Sequence, residues 1–483
     1  MKNIITSILL CFILGNHSIG QVKKTTPSRS IAIQLLPYQN SKIYIGTNYG
    51  KNKVLADSCI LNDKSEGVFS APQKLTPGIY FVVNPKMNIL FDFLVDEEQH
   101  FKIIADTLHL NEVKIIGSKE NDLFKEYTNA MNTIGMEMNS LQSNLAKSSN
   151  ASDSAKIKDQ LIAKDKEIKA RRNDFTKKYP TALTSYFLKV MQRPEVPAVP
   201  IIKGKADSTY PFYYVKNHFW DEVVFNDNRL IRTPFFEDKL DEYFKNYVSR
   251  DPDSIIDEVQ YMLTVAKTGK EIYPFLLFKF TNKYISPEYM GQDKVFLHLF
   301  QNFFAKGDTI LLNEASKKSL TERAYSIMAN QLGLAAAPLN MNTIDDKAFS
   351  LYAVNAPYTF IAFWDPTCSH CKIEIPQIDS MYKAQWKKLN VKMIGVNINF
   401  KEVAAWKKFI TEHQMEDWTN IYQTEGDLNK EINAGRPTTI RQLYDVYKTP
   451  TFYLLDKDKK IIAKNLSIEQ FNDFLQSQLN KKK

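Results

Sequence analysis

The sequence predicts a multidomain protein with an N-terminal antiparallel β-domain, a central all-α domain and a C-terminal α/β domain. Three observations predict this fold class. A chain of 483 residues is too long for one ordinary domain. The hydrophobic pattern has a strand-like period up to about residue 118, a helical period up to residue 334, and a mixture of both beyond it. With 44% apolar residues, each part can bury a core.

Residues 1–20 have the pattern of a secretory signal peptide. Lys2 provides a short basic start, and an apolar run extends from Ile4 to Leu14. Ser18 and Gly20 place small residues at the cleavage-determining positions. The apolar run is shorter than the roughly 18 residues that a membrane span needs. We therefore expect an exported protein that is cleaved after Gly20.

The small number of cysteines indicates a chemical role for them rather than a role in structural disulfides. Of the four cysteines, Cys11 lies in the predicted signal peptide. Its lipidation is not favoured, because bulky Leu9 and Leu10 precede it where a lipidated cysteine requires small residues. The cysteines of the mature chain are Cys59, Cys368 and Cys371. An exported protein of this size with so few cysteines does not depend on disulfides for its stability.

The charge of the chain argues against nucleic-acid binding. The formal net charge of +9 is modest for this length. Lysines are scattered along the chain, whereas nucleic-acid binding favours a concentrated basic face with interleaved aromatic residues. We therefore interpret the lysines as a solvated surface and expect no nucleic-acid partner.

Residues 21–118 are predicted to form the β-domain, as a sandwich or half-barrel. Runs of alternating apolar and polar residues indicate strands, and turn residues such as Pro77-Gly78 separate them. The runs cover residues 31–35, 42–46, 54–61, 79–83 and 89–94. Cys59 lies in the third run, where we interpret it as a small buried apolar residue. A scaffold role is the default for this domain, because its sequence shows no catalytic motif.

Residues 119–334 are predicted to form the helical domain. The polar segment Met131–Lys178 is almost free of glycine and proline, and it predicts a long helical hairpin with a break near Ser148–Ser154. Three prolines between residues 194 and 200 predict a rigid break. Aromatic residues then recur at helical spacing in four segments and are expected in the core. These segments are 235–248, 255–266, 272–285 and 294–304.

Residues 335–483 alternate between strand-like and helix-like segments, with one inserted stretch. The segment Asp456–Lys459 predicts a hairpin turn. Ser467, with Gln470 three residues later, predicts a capping box at the start of the last helix. The predicted strands are 358–363, 391–398, 451–455 and 460–464, and the predicted helices are 373–387, 402–412 and 468–479.

The most informative motif is Cys368-Ser369-His370-Cys371, where an apolar strand leads into a helix. The spacing places both cysteines on one helix face, from which they can close a small disulfide ring. A helix N-terminus favours a thiolate, so Cys368 is the candidate attacking thiol and Cys371 the candidate resolving thiol. A partly protonated His370 would lower the pKa of Cys368 further and make the pair more oxidising. Alternatively, His370 is an exposed residue with little effect.

Two further positions are candidates for the same site. Glu374 follows Cys371 by three residues, so it either carries the proton of the resolving thiol or faces solvent. Pro450 opens a predicted strand, and its context favours a cis bond after Thr449. Such a bond would turn the Thr449 backbone towards the substrate sulfur, where its N–H and C=O groups can pair with an incoming chain.

Residues of about 335 to 483 resemble the TlpA/ResA-like thiol-disulfide oxidoreductases of the thioredoxin superfamily. The matching residues are Phe363-Trp364, Cys368-Ser369-His370-Cys371, Lys372, Glu374, Pro376 and Thr449-Pro450-Thr451. The resemblance implies a thioredoxin-like fold and a protein of the bacterial periplasm. It further implies Cys368 as nucleophile, Cys371 as resolving cysteine, Glu374 as a buried acid and Pro450 as a cis-proline. The upstream regions resemble the accessory β-domain and helical domain of multidomain TlpA-like proteins.

Two departures from the family pattern are visible. Ala362 occupies the strand position where thioredoxins keep a buried acid, which leaves Glu374 as the remaining candidate for a proton relay. The segment Asp365-Pro366-Thr367 replaces the Ala-x-Trp that usually precedes the active-site cysteine. The substrate surface is therefore expected to differ from that of thioredoxins.

We predict an enzyme that reduces disulfides of periplasmic proteins and is recharged by a membrane electron donor. A disulfide oxidase or isomerase is the alternative that His370 favours, and only the reduction potential separates it from a reductase. An envelope binding or scaffold protein, with an accessory C-terminal domain, is the third hypothesis. A peroxidase is disfavoured, because the Pro-x-x-x-Thr-x-x-Cys pattern is absent before Cys368.

No cofactor and no metal are expected at this motif. The donors Cys368, His370 and Cys371 lie within four residues, and such a crowded set cannot easily surround a tetrahedral zinc ion. A second cluster of ligands is not visible in the sequence. The sequence leaves the oligomeric state open.

Overall fold

The structure is a computed structural model that describes residues 28–309, 312–427, 429 and 439–480. The predicted signal peptide, residues 1–20, lies outside the described residues. The chain divides into two compact units. The first comprises Met1–Gln192 with Arg229–Glu237, and the second comprises Arg193–Asn228 with Asp238–Lys483.

The first unit contains two four-stranded sheets, with strand orders β4-β1-β7-β8 and β3-β2-β5-β6. The strands are β1 Arg29–Leu36, β2 Lys42–Tyr49, β3 Asn52–Ile60, β4 Glu66–Ala71, β5 Gly78–Val83, β6 Ile89–Val95, β7 His100–Asp106 and β8 Lys114–Ile116. Alternation buries every second residue of β1, namely Ile31, Ile33 and Leu35, in a core shared by both sheets. Neighbouring strands pair antiparallel except β1 and β7, which pair in parallel.

Three helices follow the sheets in the first unit: α1 Lys119–Lys147, α2 Ala151–Lys178 and α3 Leu183–Met191. The predicted hairpin is confirmed, and its break falls at Ser148–Asn150, where the Asn150 side chain caps α2. The buried Asn121 amide bonds both the N–H and the C=O of Leu94, at 2.8 Å each, and thereby ties α1 to β6. The predicted domain bounds stay a prediction, although α1 to α3 belong to the same compact unit as the sheets.

Further helices occupy the central part of the chain, after a short hairpin of β9 Ile201–Ile202 and β10 Lys205–Ala206. They are α4 Tyr210–His218, α5 Phe236–Asn246, α6 Pro252–Ala266, α7 Ile272–Tyr284, α8 Asp293–Asn302 and α9 Glu314–Met328. The four aromatic-rich segments predicted as helices correspond to α5, α6, α7 and α8. Aromatic residues such as Tyr243, Phe280 and Tyr284 are core residues as predicted, whereas Tyr261 of α6 is 56% exposed.

The C-terminal part forms a seven-stranded sheet with the order β12-β11-β15-β14-β13-β16-β17. Its strands are β11 Asn340–Thr343, β12 Ala348–Ser350, β13 Tyr358–Trp364, β14 Val391–Asn397, β15 Thr419–Tyr422, β16 Thr451–Leu455 and β17 Ile461–Lys464. Its helices are α10 Ser369–Ala384, α11 Val403–Glu412, α12 Ile440–Leu443 and α13 Ile468–Asn480. This is the α/β architecture that the sequence predicts for the C-terminal domain.

Strand β13 positions the predicted motif. All seven of its residues are buried, and it lies between the parallel strand β14 and the antiparallel strand β16. The antiparallel register places Phe363, near the end of β13, opposite Thr451, at the start of β16. The segment that leads from β13 into α10 therefore lies beside the segment that leads into β16.

Two local predictions for the C-terminal part are confirmed. The turn between β16 and β17 covers the segment predicted as a hairpin turn, with Asp456 accepting hydrogen bonds from the N–H groups of Asp458 and Lys460. Ser467 and Gln470 bond each other's backbone N–H groups and form the predicted capping box. Within the described parts of the chain, no helix combines the length and apolar character needed to cross a bilayer.

Candidate active site

The two cysteines of the motif lie at the start of α10. Cys368 is the N-cap residue of this helix and is half-buried, whereas Cys371 lies one turn later and is fully buried. The helix begins earlier than predicted, at Ser369 rather than at residue 373. Both cysteines are free thiols in the structure. The motif therefore presents one accessible sulfur and one buried sulfur at a helix N-terminus.

The Thr449–Pro450 segment lies against Cys368. The peptide bond between these two residues is cis, as predicted. The Cys368 Sγ lies 3.4 Å from the Thr449 carbonyl oxygen, although the two residues are 81 positions apart. Thr449 is half-buried and Pro450 is buried. The structure thus brings together the two sequence motifs that were predicted to share one site.

The surroundings shift the acidity of the two thiols in opposite directions. Partial burial alone would raise the pKa of Cys368, but hydrogen bonds from the Thr449 side chain, from Cys371 and from the His370 backbone lower it overall. For Cys371, burial dominates and raises the pKa to about 12. A Cys368 thiol that ionises more readily than a free cysteine, next to a Cys371 thiol that keeps its proton, is the arrangement required for a nucleophile and a resolving group.

His370 is exposed. Its contribution to the lowered pKa of Cys368 comes from its backbone N–H, which bonds the sulfur. This backbone effect follows from the helix N-terminus and does not require an imidazole. A role of the His370 ring in setting the redox behaviour of the motif stays a prediction.

Glu374 is half-buried, whereas the family resemblance implied a buried acid. The physical reason lies in the helical register of α10. Its buried face runs through Cys371, Ile375 and Ile378, and Glu374 lies at the edge of this face. The carboxyl group is thus close in sequence to the resolving thiol and also reaches solvent. Its role in proton transfer stays a prediction.

Sequence reasoning missed the structural role of Asp365. Its carboxylate accepts hydrogen bonds from the Thr367 N–H and hydroxyl, at 2.8 and 2.7 Å, and from the Asn399 amide at 3.0 Å. Its carbonyl oxygen accepts the Cys368 N–H at 3.2 Å, and its backbone bonds the Cys371 thiol. Asp365 therefore shapes the loop before the cysteines. An Asp followed by a Pro favours a turn in which the Asp side chain bonds the backbone two residues on, and this signal could have indicated the role.

The strand behind the cysteines is apolar. Ala362 is fully buried in β13, at the position where the sequence analysis noted the missing acid. Trp364 is fully buried as well, and its ring packs on Phe409 with the centroids 5.1 Å apart. This apolar environment explains why burial dominates the pKa of Cys371.

Cys59 lies in β3 of the first compact unit, away from any other cysteine in sequence. It is half-buried and packs against the core of the two sheets. Burial, with a smaller effect of the Asp57 charge, raises its pKa to about 12. Cys59 is therefore a packing residue with a protonated thiol, in line with its interpretation as a small apolar residue.

Two protein families match this chain. Residues 332–464 match the AhpC/TSA family, and residues 154–327 match a domain of unknown function, DUF5106. The first match covers the sheet that carries β13 and both motifs. The second covers much of the central helical part.

Several known proteins are similar to part of this chain. The thiol-disulfide oxidoreductase ResA of Bacillus cereus is 26% identical over 151 residues, which are 31% of this chain and 78% of ResA. A solved domain of a possible thiol-disulfide isomerase from Cytophaga hutchinsonii is 32% identical and has a TM-score of 0.27. The match covers 31% of this chain and 94% of that domain. A solved thioredoxin-like protein from Bacteroides caccae is 20% identical and has a TM-score of 0.46. The match covers 59% of this chain and 99% of the Bacteroides chain.

Proposed function

We propose that this chain is an exported disulfide reductase of periplasmic proteins, because its C-terminal domain is thioredoxin-like, matches the AhpC/TSA family and is similar to the ResA thiol-disulfide oxidoreductases. One observation supports the proposal most directly. The two thiols of α10 differ in burial, and the pKa is lowered for the accessible thiol and raised for the buried one. These environments suit Cys368 to attack the substrate disulfide and Cys371 to resolve the mixed disulfide.

The reaction begins at Cys368. Its thiolate attacks one sulfur of a substrate disulfide, the S–S bond of the substrate breaks, and a Cys368–substrate mixed disulfide forms. The substrate thiolate that leaves takes a proton from solvent. The carbonyl oxygen of Thr449, 3.4 Å from the Cys368 sulfur, lies where it can accept an N–H of the substrate chain.

Cys371 completes the reaction. Its thiol loses a proton and attacks the Cys368 sulfur, which forms the Cys368–Cys371 disulfide and releases the second substrate thiolate. The substrate gains two electrons and the protein loses two. A dithiol donor, which we propose is membrane-bound, restores the reduced pair by the reverse exchange.

The second step needs a base, because a thiol with a pKa of about 12 is almost entirely protonated near neutral pH. Glu374 is our candidate for this base. It lies one helical turn beyond Cys371 and is half-buried, so it can exchange protons both with the thiol and with water.

Trapping of the mixed disulfide tests this function. A Cys371→Ser variant lacks the resolving thiol, and it should accumulate covalent complexes with periplasmic proteins that dithiothreitol releases. The Cys368→Ser variant is the matched control, since it has the same loss of one sulfur but no nucleophile, and it should trap nothing. If Cys371→Ser captures no partner from a bacterial envelope extract, the proposal is wrong.

A disulfide oxidase or isomerase is a second candidate function, and the lowered pKa of Cys368 favours it. A stabilised thiolate stabilises the reduced form of the pair, which makes the disulfide more oxidising. The exposed His370 lies two residues after Cys368, and its ring would act in the same direction if it were close to the sulfur and protonated. The reduction potential of the pair distinguishes the two candidates.

A scaffold function in the envelope is the third candidate. It is suggested by the large part of the chain that precedes the thioredoxin-like domain, in which residues 154–327 match a domain of unknown function. A strain whose protein carries both Cys368→Ser and Cys371→Ser tests it. Wild-type behaviour of that strain would favour the scaffold, and loss of function would favour the enzyme.

A further inference from the structure

Residues 444–450 connect α12 to β16 and form the cis-proline loop, which carries Thr449 and Pro450. The loop ends beside the nucleophile, since the Thr449 carbonyl oxygen lies 3.4 Å from the Cys368 sulfur. It adopts neither a helix nor a strand, so no ladder of backbone hydrogen bonds fixes its course. The position of Thr449 at the sulfur therefore depends on contacts that the loop makes with other elements.

The side chain of Arg323, in α9, joins this loop to another part of the second compact unit. Its Nε and Nη2 atoms donate to the Ile285 carbonyl oxygen at 3.3 and 3.1 Å. Its Nη1 atom donates to the Asp445 carboxylate in an ion pair. The guanidinium also lies over the Tyr447 ring, 4.9 Å from the ring centroid. One arginine thus contacts two residues of the cis-proline loop.

The other end of this connection is the C-terminus of α7. Ile285 is the C-cap residue of α7, at a helix end where carbonyl groups lack partners within the helix. A guanidinium is favoured there, because it donates to such a carbonyl and its charge complements the helix dipole. The planar fork of Arg323 can serve the helix end and the loop at the same time, whereas a lysine ammonium is a compact point charge.

The ion pair between Arg323 and Asp445 is shielded from water. The two side chains are 19% and 7% exposed. An exposed pair would be screened and would contribute little, whereas removal of one partner from a buried pair leaves an uncompensated charge. The pair therefore restrains the loop more strongly than a surface contact would.

The contact with Tyr447 restrains the loop at a second point, two residues before Thr449. Tyr447 is 63% exposed, so its ring is not held in place by burial in the core. A cation over the face of an aromatic ring is attracted by the charge distribution of the ring. Arg323 therefore holds the loop on both sides of Val446, on the approach to the reacting sulfur.

We propose that Arg323 is a positioning residue that holds Thr449 against the Cys368 sulfur. It acts through Asp445 and Tyr447 and takes no part in the exchange of sulfur bonds. The inference rests on the proposed thiol chemistry and gives the stretch that matches DUF5106, to which Arg323 and Ile285 belong, a part in it.

The pH midpoint of Cys368 alkylation tests the proposal. Iodoacetamide reacts with the thiolate, so the midpoint reports the pKa of the thiol. The Thr449 side chain is one of the hydrogen-bond donors that lower this pKa. In Arg323→Met the loop loses its anchor, and the midpoint should rise by about half a pH unit, as expected when one such hydrogen bond is lost.

Two milder variants test the same connection from both ends. Arg323→Lys keeps the charge, but one ammonium cannot replace the fork that serves both Ile285 and Asp445. Its midpoint should lie between those of the wild-type protein and Arg323→Met. Asp445→Asn removes the charge on the loop side at nearly constant size, and it should also raise the midpoint.

Lys267→Met is the matched control, because Lys267 makes the same two kinds of contact with residues outside the cis-proline loop. Its ammonium lies 2.8 Å from the Asp308 carboxylate and 4.4 Å from the centroid of the Tyr273 ring. The substitution should leave the midpoint of Cys368 at the wild-type value. A rise as large as that in Arg323→Met would overturn the proposal.

Cys371 reports unfolding in the same samples. It is fully buried with a pKa of about 12, so it stays unmodified while the domain is folded. If Arg323→Met exposes Cys371 to the reagent, the milder Arg323→Lys and Asp445→Asn decide the question. An unchanged Cys368 midpoint in variants that keep Cys371 protected would overturn the positioning role.

The wild-type protein distinguishes this failure from failure of the proposed function. A wild-type Cys368 midpoint at or above about 8.5, the usual value of a free cysteine, would contradict Cys368 as the nucleophile and with it the proposed function. A lower wild-type midpoint that none of the variants at Arg323 and Asp445 changes would overturn the role of Arg323 alone.

Discussion

At the scale of single residues, the two cysteines of α10 differ in acidity because they differ in their surroundings. The helix start supplies backbone N–H groups to the Cys368 sulfur, and Thr449 adds a further hydrogen bond. Cys371 lies in the apolar core behind β13 and keeps its proton. The chemistry assigned to the site depends on this difference, which can be measured on the purified protein.

Alkylation measures the acidity of each thiol. In the reduced protein, the rate at which iodoacetamide modifies Cys368 should rise with pH, because only the thiolate reacts. The midpoint of this rise should lie below about 8.5, the usual pKa of a free cysteine. Cys59 is the internal control, since it is also half-buried but has a raised pKa. Mass spectrometry of the modified peptides across a pH series gives both midpoints. Equal midpoints for Cys59 and Cys368 would contradict the assignment of Cys368 as nucleophile.

Glu374 is tested by the lifetime of the mixed disulfide. In Glu374→Gln the attack by Cys368 should keep its rate, while the attack by Cys371 should slow by at least about tenfold, because no base removes its proton. Rapid quenching and mass spectrometry follow the mixed disulfide over time. Glu412→Gln, at an exposed glutamate at the end of α11, is the control. If the lifetime is unchanged in Glu374→Gln, water serves as the base instead.

At the scale of elements, the loop between β13 and α10 owes its shape to Asp365. The carboxylate bonds Thr367 within the loop and Asn399 after β14, which fixes the start of α10 against the sheet. The N–H groups at the start of α10 can lower the pKa of Cys368 only if they stay directed towards its sulfur. The loop is therefore part of the electrostatic environment of the nucleophile.

The substitution Asp365→Ala should reduce the free energy of unfolding by about 1–2 kcal/mol through lost hydrogen bonds and raise the alkylation midpoint of Cys368. Asp456→Ala is the matched control. Asp456 also caps a turn through two backbone N–H groups at 2.9 Å, but it lies in the distant hairpin between β16 and β17. The control should lose similar stability and leave the midpoint of Cys368 unchanged. A change of stability without a change of midpoint in Asp365→Ala would show that the loop does not tune the thiol.

The elements that the sequence predicted are those with local signatures. The break at Ser148–Asn150, the capping box of Ser467 with Gln470, and the Cys-x-x-Cys motif at a strand-to-helix junction can each be read within a few residues. The bond from Asn399 to Asp365 joins residues 34 positions apart and has no local signature. The parallel pairing of β1 with β7 was missed for the same reason.

At the scale of the whole molecule, the second compact unit combines helices of the DUF5106 stretch with the thioredoxin-like sheet. The buried ion pair of Asp293 in α8 with Lys464 in β17 spans 171 positions of the chain, and Asn330 gives the ammonium a second partner at 2.8 Å. Sequence reasoning could not pair these residues, because lysines and aspartates are common and usually exposed.

This ion pair predicts that helices and sheet of the second unit unfold together. Asp293→Ala leaves the Lys464 ammonium buried without its counter-charge and should reduce the free energy of unfolding by about 3–5 kcal/mol. The double variant Asp293→Ala, Lys464→Met removes both charges and should recover a large part of the loss. Urea denaturation followed by circular dichroism measures both. A loss below about 1 kcal/mol in Asp293→Ala would contradict a coupling through this pair.

The measurement that tests the central claim most directly is the reduction potential of the Cys368–Cys371 pair in the purified mature protein, by equilibration with glutathione or dithiothreitol buffers. A reductase requires a value near or below about −250 mV, close to that of thioredoxin, and this is the result we predict. A value above about −150 mV would contradict the reductase and favour an oxidase or isomerase. A pair that never cycles between thiol and disulfide would contradict an enzyme of either kind.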